Sequence, residues 1–166
     1  MMQNEQKIAI VPGSFDPITL GHLDIVRRAA ELYDKVYLAV MMNADKNYMF
    51  SLAQRTKIAE ASVTEFPNVC VISSEGMLWE LAKNLGACAI VKGVRNETDL
   101  AYEKMMAEYN SAHYPAAETV LLPAREEHLH LSSTLVRSKI LERSSLSGLL
   151  PEAAIAEIQK LLPHTI

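Results

Sequence analysis

The feature that most limits what this chain can fold into is its rhythm. Short β-branched apolar runs at residues 8–11, 36–40, 69–72, 88–91 and 119–122 alternate with longer stretches of helical spacing. After the first run, Leu23, Val26, Ala30 and Tyr33 recur three or four positions apart, and Arg55, Ile58 and Ala59 follow the second. Residues 77–85 follow the third, Tyr102, Met105, Met106 and Tyr109 the fourth, and Leu135, Val136 and Ile140 the fifth. This order predicts parallel strands joined by crossover helices. The expected fold class is α/β: a doubly wound parallel sheet of about five strands with C-terminal helices, in a single domain over residues 1–166. A chain of 166 residues suffices for one such core and is short for two.

Local signals refine the expectation. Pro12-Gly13 breaks the first strand, Ser51 caps the second helix, and Gly86 suits the left-handed residue just past a helix end. Residues 92–96 read as a polar loop, and residues 144–148 as a short linker. Pro151 opens an amphipathic segment carrying Ile155, Ile158, Leu161 and Leu162. The stripe Tyr102, Met105, Met106 and Tyr109 is expected to pack in the core, with a subunit contact as the alternative.

Composition excludes several classes of function. With 16 basic against 20 acidic side chains the net charge is -4, which leaves no footprint for DNA or RNA, so anions must be small and recruited locally. No apolar run approaches the ~18 residues of a membrane span, and residues 1–7 are polar, without a signal peptide's apolar segment. Cys70 and Cys88 are the only cysteines and fall in apolar runs, so a reduced, cytoplasmic setting is expected. No zinc-ligand spacing, Gly-x-Ser-x-Gly elbow or carboxylate pair is legible, and no metal ligands are assigned.

The segment Gly13-Ser14-Phe15-Asp16-Pro17-Ile18-Thr19-Leu20-Gly21-His22 lies between the first strand and the first helix. Gly13 lacks the Cβ that would block a ligand's approach to the backbone, Ser14 adds a hydroxyl, and His22 falls at a helix N-terminus, where free amides favour anions. The segment is neither a Walker loop nor the G-x-G-x-x-G fingerprint. A lone histidine is more often a capping or packed imidazole, but a Gly-rich strand-to-helix loop reverses that expectation.

These residues resemble the G-[ST]-F-D-P-x-x-x-G-H signature of the nucleotidyltransferase superfamily, and most closely the bacterial phosphopantetheine adenylyltransferase family. The resemblance continues in order through Lys46, Met49-Phe50-Ser51, Lys92-Gly93-Val94-Arg95, Tyr102-Glu103 and Leu131-Ser132-Ser133-Thr134-Leu135-Val136-Arg137. It implies a Rossmann-like nucleotidyltransferase fold and transfer of the adenylyl group of ATP to 4'-phosphopantetheine, giving dephospho-coenzyme A and pyrophosphate. It also implies a magnesium ion carried with ATP, a homohexamer, and inhibition by coenzyme A. His22 is then the catalytic residue, stabilising charge at the α-phosphate. Ser14, Phe15, Gly93, Val94, Arg95, Glu103, His128, Leu129, His130, Leu131, Ser132, Ser133 and Thr134 join it in binding ATP, while Ser14, Lys46, Leu78 and Lys92 bind the acceptor. Four positions depart from the family pattern: Ser14 stands where Thr is usual, Lys92 where Arg is frequent, and His128 and His130 where aromatics are common. The competing expectations are another acceptor, as in nicotinate-nucleotide adenylyltransferase or glycerol-3-phosphate cytidylyltransferase, and a non-catalytic nucleotide sensor.

Overall fold

Small and β-branched residues place Ile8–Gly13 (β1) at the centre of a parallel five-stranded sheet. Lys35–Met41 (β2), Val69–Ser74 (β3), Ala89–Val94 (β4) and Glu118–Pro123 (β5) complete it in the order β3-β2-β1-β4-β5. The helices are Leu20–Leu32 (α1), Leu52–Ser62 (α2), Leu78–Leu85 (α3), Glu97–His113 (α4), Ser133–Leu141 (α5) and Glu152–Leu161 (α6), with one 3-10 turn at Glu126–His128. The computed structural model describes residues 5–162; residues 1–4, which begin the polar segment 1–7, and residues 163–166 lie outside the described residues.

Alternation along the strands builds two cores. Ala9 and Val11 face Val26, Ala29, Ile58, Val136, Ile140 and Ile158 from α1, α2, α5 and α6. Ile10 and Ile90 face the other way, against Ala82, Leu78 and Leu81 of α3. Each fully buried Ile, Val or Leu contributes ~1.5–3 kcal/mol relative to exposure, so both layers depend on this register.

The sheet also opens the ligand crevice. β1 pairs with β2 over all of Ile8–Gly13, but with β4 only at Ala9–Ala89 and Ile10–Ile90. Beyond that point the two strands diverge, and Val11, Pro12 and Gly13 face Val91, Lys92 and Gly93 across a cleft. The chain runs to β2 on one side of β1 and crosses to β4 on the other, so the gap lies at the topological switch point. Pro12, which has no N–H to donate, is tolerated in a central strand because the ladder to β4 has already stopped.

Several expectations are corrected. Pro12-Gly13 does not end β1, and Lys92, Gly93 and Val94 belong to β4 instead of a loop. The α4 stripe is not core: Tyr102, Met105 and Tyr109 are 55%, 57% and 41% exposed. The helix turns Glu103, Met106, Ala107 and Asn110 inward instead, a face that shares only Met106 with the stripe. Cys70 and Cys88 are free and exposed, despite their apolar neighbours in sequence. Among the described residues, no helix is long and apolar enough to cross a membrane.

The two glycines of the signature segment differ. A Cβ on Gly13 would meet Phe15 Cζ at 2.8 Å, and that ring is buried, whereas one on Gly21 finds its nearest neighbour, Thr19 Oγ1, at 3.6 Å. Gly13 is thus required by the protein's own phenyl ring. Gly13→Ala is expected to cost ~1–3 kcal/mol by overpacking, and Gly21→Ala, inside a helix, to be neutral or stabilising by up to ~1 kcal/mol. Urea unfolding midpoints check this; equal effects of the two substitutions would contradict it.

Candidate active site

Thr19 and His22 hold one another at the start of α1. The Thr19 hydroxyl accepts the His22 backbone N–H at 3.3 Å, and His22 Nδ1 accepts the Thr19 backbone N–H at 3.0 Å. A backbone N–H can only donate, so Nδ1 is unprotonated and Nε2 carries the hydrogen. Burial, assisted by the positive charges of Arg95 and Lys92, lowers the His22 pKa from 6.5 to about 4. The ring is therefore neutral near pH 7. It stands edge-on to Phe15, centroids 5.2 Å apart, and lines a cleft of about 580 Å³.

Around this ring the fold gathers cations on a chain of net negative charge. Arg95, just past β4, donates to Asp99 Oδ2 through Nε at 3.0 Å and through its backbone N–H at 3.1 Å, and Nη1 reaches Leu131 O at 3.3 Å. Burial pushes the Asp99 carboxyl upward, but these bonds from Arg95 outweigh it and hold the group below its usual range. Lys92 Nζ is paired with Glu103 Oε1 at 3.1 Å. Lys46 enters from the exposed β2–α2 loop. Arg137 of α5 donates to Asp16 O at 2.8 Å and to Thr134 Oγ1 at 3.1 Å.

The second helix N-terminus at the cleft is α5. Ser132 Oγ accepts the Leu135 N–H at 3.1 Å, and Ser133 Oγ donates to Pro17 O at 2.8 Å. Of the three hydroxyls only Ser133 gives its hydrogen to the protein; Ser132 and Thr134 accept and keep an O–H to donate, beside the backbone amides of Ser133 and Thr134, which have no partner within the helix.

The cleft brings together Ser14, Phe15, His22, Lys46, Lys92, Gly93, Arg95, Glu103, His128, Leu131, Ser132, Ser133 and Thr134 from the expected set. Phe15 is almost fully buried, and its ring packs on Gly13 and His22. Val94, Leu129 and His130 do not line the cleft: Val94 is in strand β4, and Leu129 and His130 are exposed beyond the 3-10 turn. Leu78 also lies outside it, in a smaller cavity of about 60 Å³ lined by Tyr102, Met106 and the Lys92–Glu103 pair. Lys92 and Glu103, expected to serve different substrates, are one ion pair between the two cavities.

Four residues to which the sequence assigned no role hold the site together. Asp16, 3% exposed, accepts the backbone N–H groups of Met49 at 2.9 Å and Phe50 at 3.0 Å, tying the lysine loop to the signature segment. Arg55, fully buried, donates to Ser14 O, to Met41 O at 2.9 Å and to Phe50 O at 3.2 Å. Asp99 orients Arg95, and Arg137 joins α5 to Asp16. The Asp-Pro dipeptide and an arginine within a helical run are too common to have marked the first two; the i,i+4 spacing of Arg95 and Asp99 is the one available signal.

A parallel sheet with its crevice at the switch point, two helix N-termini and converging cations define a nucleotide-handling α/β protein. The family model of cytidylyltransferase-like proteins matches residues 10–139, and the chain belongs to that family. It is 40% identical over 154 residues to a phosphopantetheine adenylyltransferase of Alkaliphilus metalliredigens (strain QYMF), covering 93% of this chain and 98% of the relative. It is also 40% identical over 160 residues to one of Streptococcus pyogenes serotype M1, covering 96% and 98%. The chain therefore belongs, within the cytidylyltransferase-like proteins, to the phosphopantetheine adenylyltransferase family.

Because the folded His22 pKa of about 4 lies below 6.5, the unfolded chain binds a proton that the native chain does not anywhere between them. Stability falls as pH drops through that window. Asp99, with its pKa lowered, loses its contribution only at lower pH, below the ordinary carboxylate value. Thermal midpoints are expected to fall from pH 6.5 to 4.5, and more shallowly in His22→Asn; an identical slope in both proteins would contradict the assignment.

Proposed function

We propose that this chain, acting as one domain over residues 1–166, transfers the adenylyl group of ATP to 4'-phosphopantetheine, forming dephospho-coenzyme A and releasing pyrophosphate. The observation that carries the reading is the neutral His22 ring, held by Thr19 so that Nε2–H is left to donate into a cleft ringed by Lys46, Lys92 and Arg95. Family membership and the order of the motifs support the acceptor.

The acceptor phosphate is ionised near neutral pH, so one of its oxygens attacks the α-phosphorus without a general base. A bond forms from that oxygen to phosphorus while the bond to the bridging β-phosphate oxygen breaks, and the electron pair departs with pyrophosphate. No enzyme-bound covalent intermediate is needed, and catalysis reduces to alignment and charge stabilisation. His22 Nε2–H donates to the α-phosphate oxygen as negative charge builds there. The free amides at the start of α5, with Arg95, hold the outer phosphates. Lys46 approaches from the opposite side and offsets repulsion between the two anions, with Lys92 as a further point charge. The small cavity at Leu78 supports placing the acceptor's pantetheine arm there.

Magnesium is proposed to accompany ATP. Asp16, Asp99 and Glu103, the carboxylates lining the cleft, are each engaged by backbone amides, Arg95 or Lys92, so the ion fits as a partner of the triphosphate. It would supply neutralising charge on the phosphate oxygens. A homohexamer, inhibition by coenzyme A, and a cytoplasmic location belong to the same proposal. The exposed Tyr102, Met105 and Tyr109 stripe supports a subunit contact, the likeness of coenzyme A to the product supports occupancy of this cleft, and the free cysteines support a reducing compartment.

Incubation with ATP, magnesium and 4'-phosphopantetheine is expected to yield dephospho-coenzyme A and pyrophosphate in equal amounts. Turnover only with nicotinate mononucleotide, or only with CTP and glycerol 3-phosphate, would reassign the acceptor, and ATP binding without turnover would make the protein a sensor. His22→Ala is expected to lower kcat by ~10²–10³ with little change in ATP affinity. Lys46→Ala is expected to impair acceptor use more than ATP binding; equal KM and kcat in variant and parent would refute its role.

A further inference from the structure

Lys46 sits in the exposed stretch 42–47, which neither helix nor strand holds in place. The stretch is closed on itself by the next residue. Tyr48 Oη accepts the backbone N–H of Asn43 at 2.8 Å, and Asn43 O accepts the N–H of Lys46 at 3.1 Å. On its other side the Tyr48 ring lies against the Arg55 guanidinium, with Cζ 3.9 Å from the ring centroid. Arg55 is fully buried, and its Nη2 has no hydrogen-bond partner, so the aromatic face supplies interaction that its polar neighbours do not. Because Arg55 also donates to Ser14 O, a continuous path runs from Asn43 through Tyr48 and Arg55 to the β1–α1 loop. These are the two sides of the cleft that must meet for transfer.

We propose that Tyr48, backed by Arg55, is a positioning residue that holds the Lys46 loop against the acceptor phosphate. The inference rests on the adenylyl-transfer reading of the cleft. Tyr48 itself lines the cleft, so the alternative is direct contact of its hydroxyl with substrate, and the two differ in whether Lys46 is required.

Tyr48→Phe keeps the ring on Arg55 and removes only the acceptor of the Asn43 N–H, so the fold is retained. The expected result is a loss of about five-fold in kcat/KM for 4'-phosphopantetheine, the size of one hydrogen bond, with the KM for ATP unchanged. In the Lys46→Ala background the same substitution is expected to have no further effect. Without any ligand, trypsin is expected to cut after Lys46 about five-fold faster in Tyr48→Phe than in the parent, read by mass spectrometry. Equal cleavage rates would overturn the proposal, as would a full Tyr48→Phe defect persisting when Lys46 is absent, which would mean direct substrate contact. If the parent chain forms no dephospho-coenzyme A, the adenylyl-transfer reading fails, while the cleavage rates still decide whether Tyr48 fixes the loop.

Discussion

The reciprocal pair of hydrogen bonds between Thr19 and His22 is the interaction on which the site depends. One bond gives the first turn of α1 an acceptor for a free amide, and the other removes any freedom in the tautomer of the imidazole. The capping of a helix and the preparation of a hydrogen-bond donor are therefore the same structural event. A histidine here is neither simply a cap nor simply a ligand, because its two ring nitrogens divide the roles. Packing against Phe15, whose ring occupies the space above Gly13, fixes the plane of the imidazole.

The second requirement is room for a polyanion next to that donor, and the strand register supplies it. Two residues after β1 and β4 begin to pair they separate, which a longer ladder would not allow. The loops around the gap are then tied to one another. Asp16 reaches the amides of Met49 and Phe50, Arg137 reaches Asp16 O, and Ser133 reaches Pro17 O. These bonds link the signature segment to the lysine loop on one side and to α5 on the other. A protein with a net charge of -4 can thus present a locally cationic cleft, because Lys46, Lys92, Arg95 and Arg137 outnumber Asp16, Asp99 and Glu103 along its walls.

Much of this was legible in the residues. The five apolar runs mark the five strands, Ser51 caps the helix it precedes, and Gly86 is left-handed with φ 63° just after α3. Element ends were less legible. Lys92-Gly93-Val94 looks polar and loop-like, yet β4 continues through it because pairing with β5 runs to Val94–Pro123. The α4 stripe shows the limit of periodicity: a helical spacing identifies a face but not what covers it, and here the sheet takes the neighbouring face with Asn110. In the site, His22, Lys46 and Arg95 carry recognisable motifs. Asp16 stands in the signature and Arg55 in a helical run, but what each holds is not legible there, since they accept from or donate to backbone groups distant in sequence, and such contacts leave no local pattern.

The measurement closest to the central claim is nitrogen NMR of the histidine ring in the 15N-labelled protein at pH 7, with His22 assigned by substitution. The expected result is a protonated Nε2 and an unprotonated, hydrogen-bond-accepting Nδ1. A proton on Nδ1, whether in the other neutral tautomer or in the imidazolium, would contradict it.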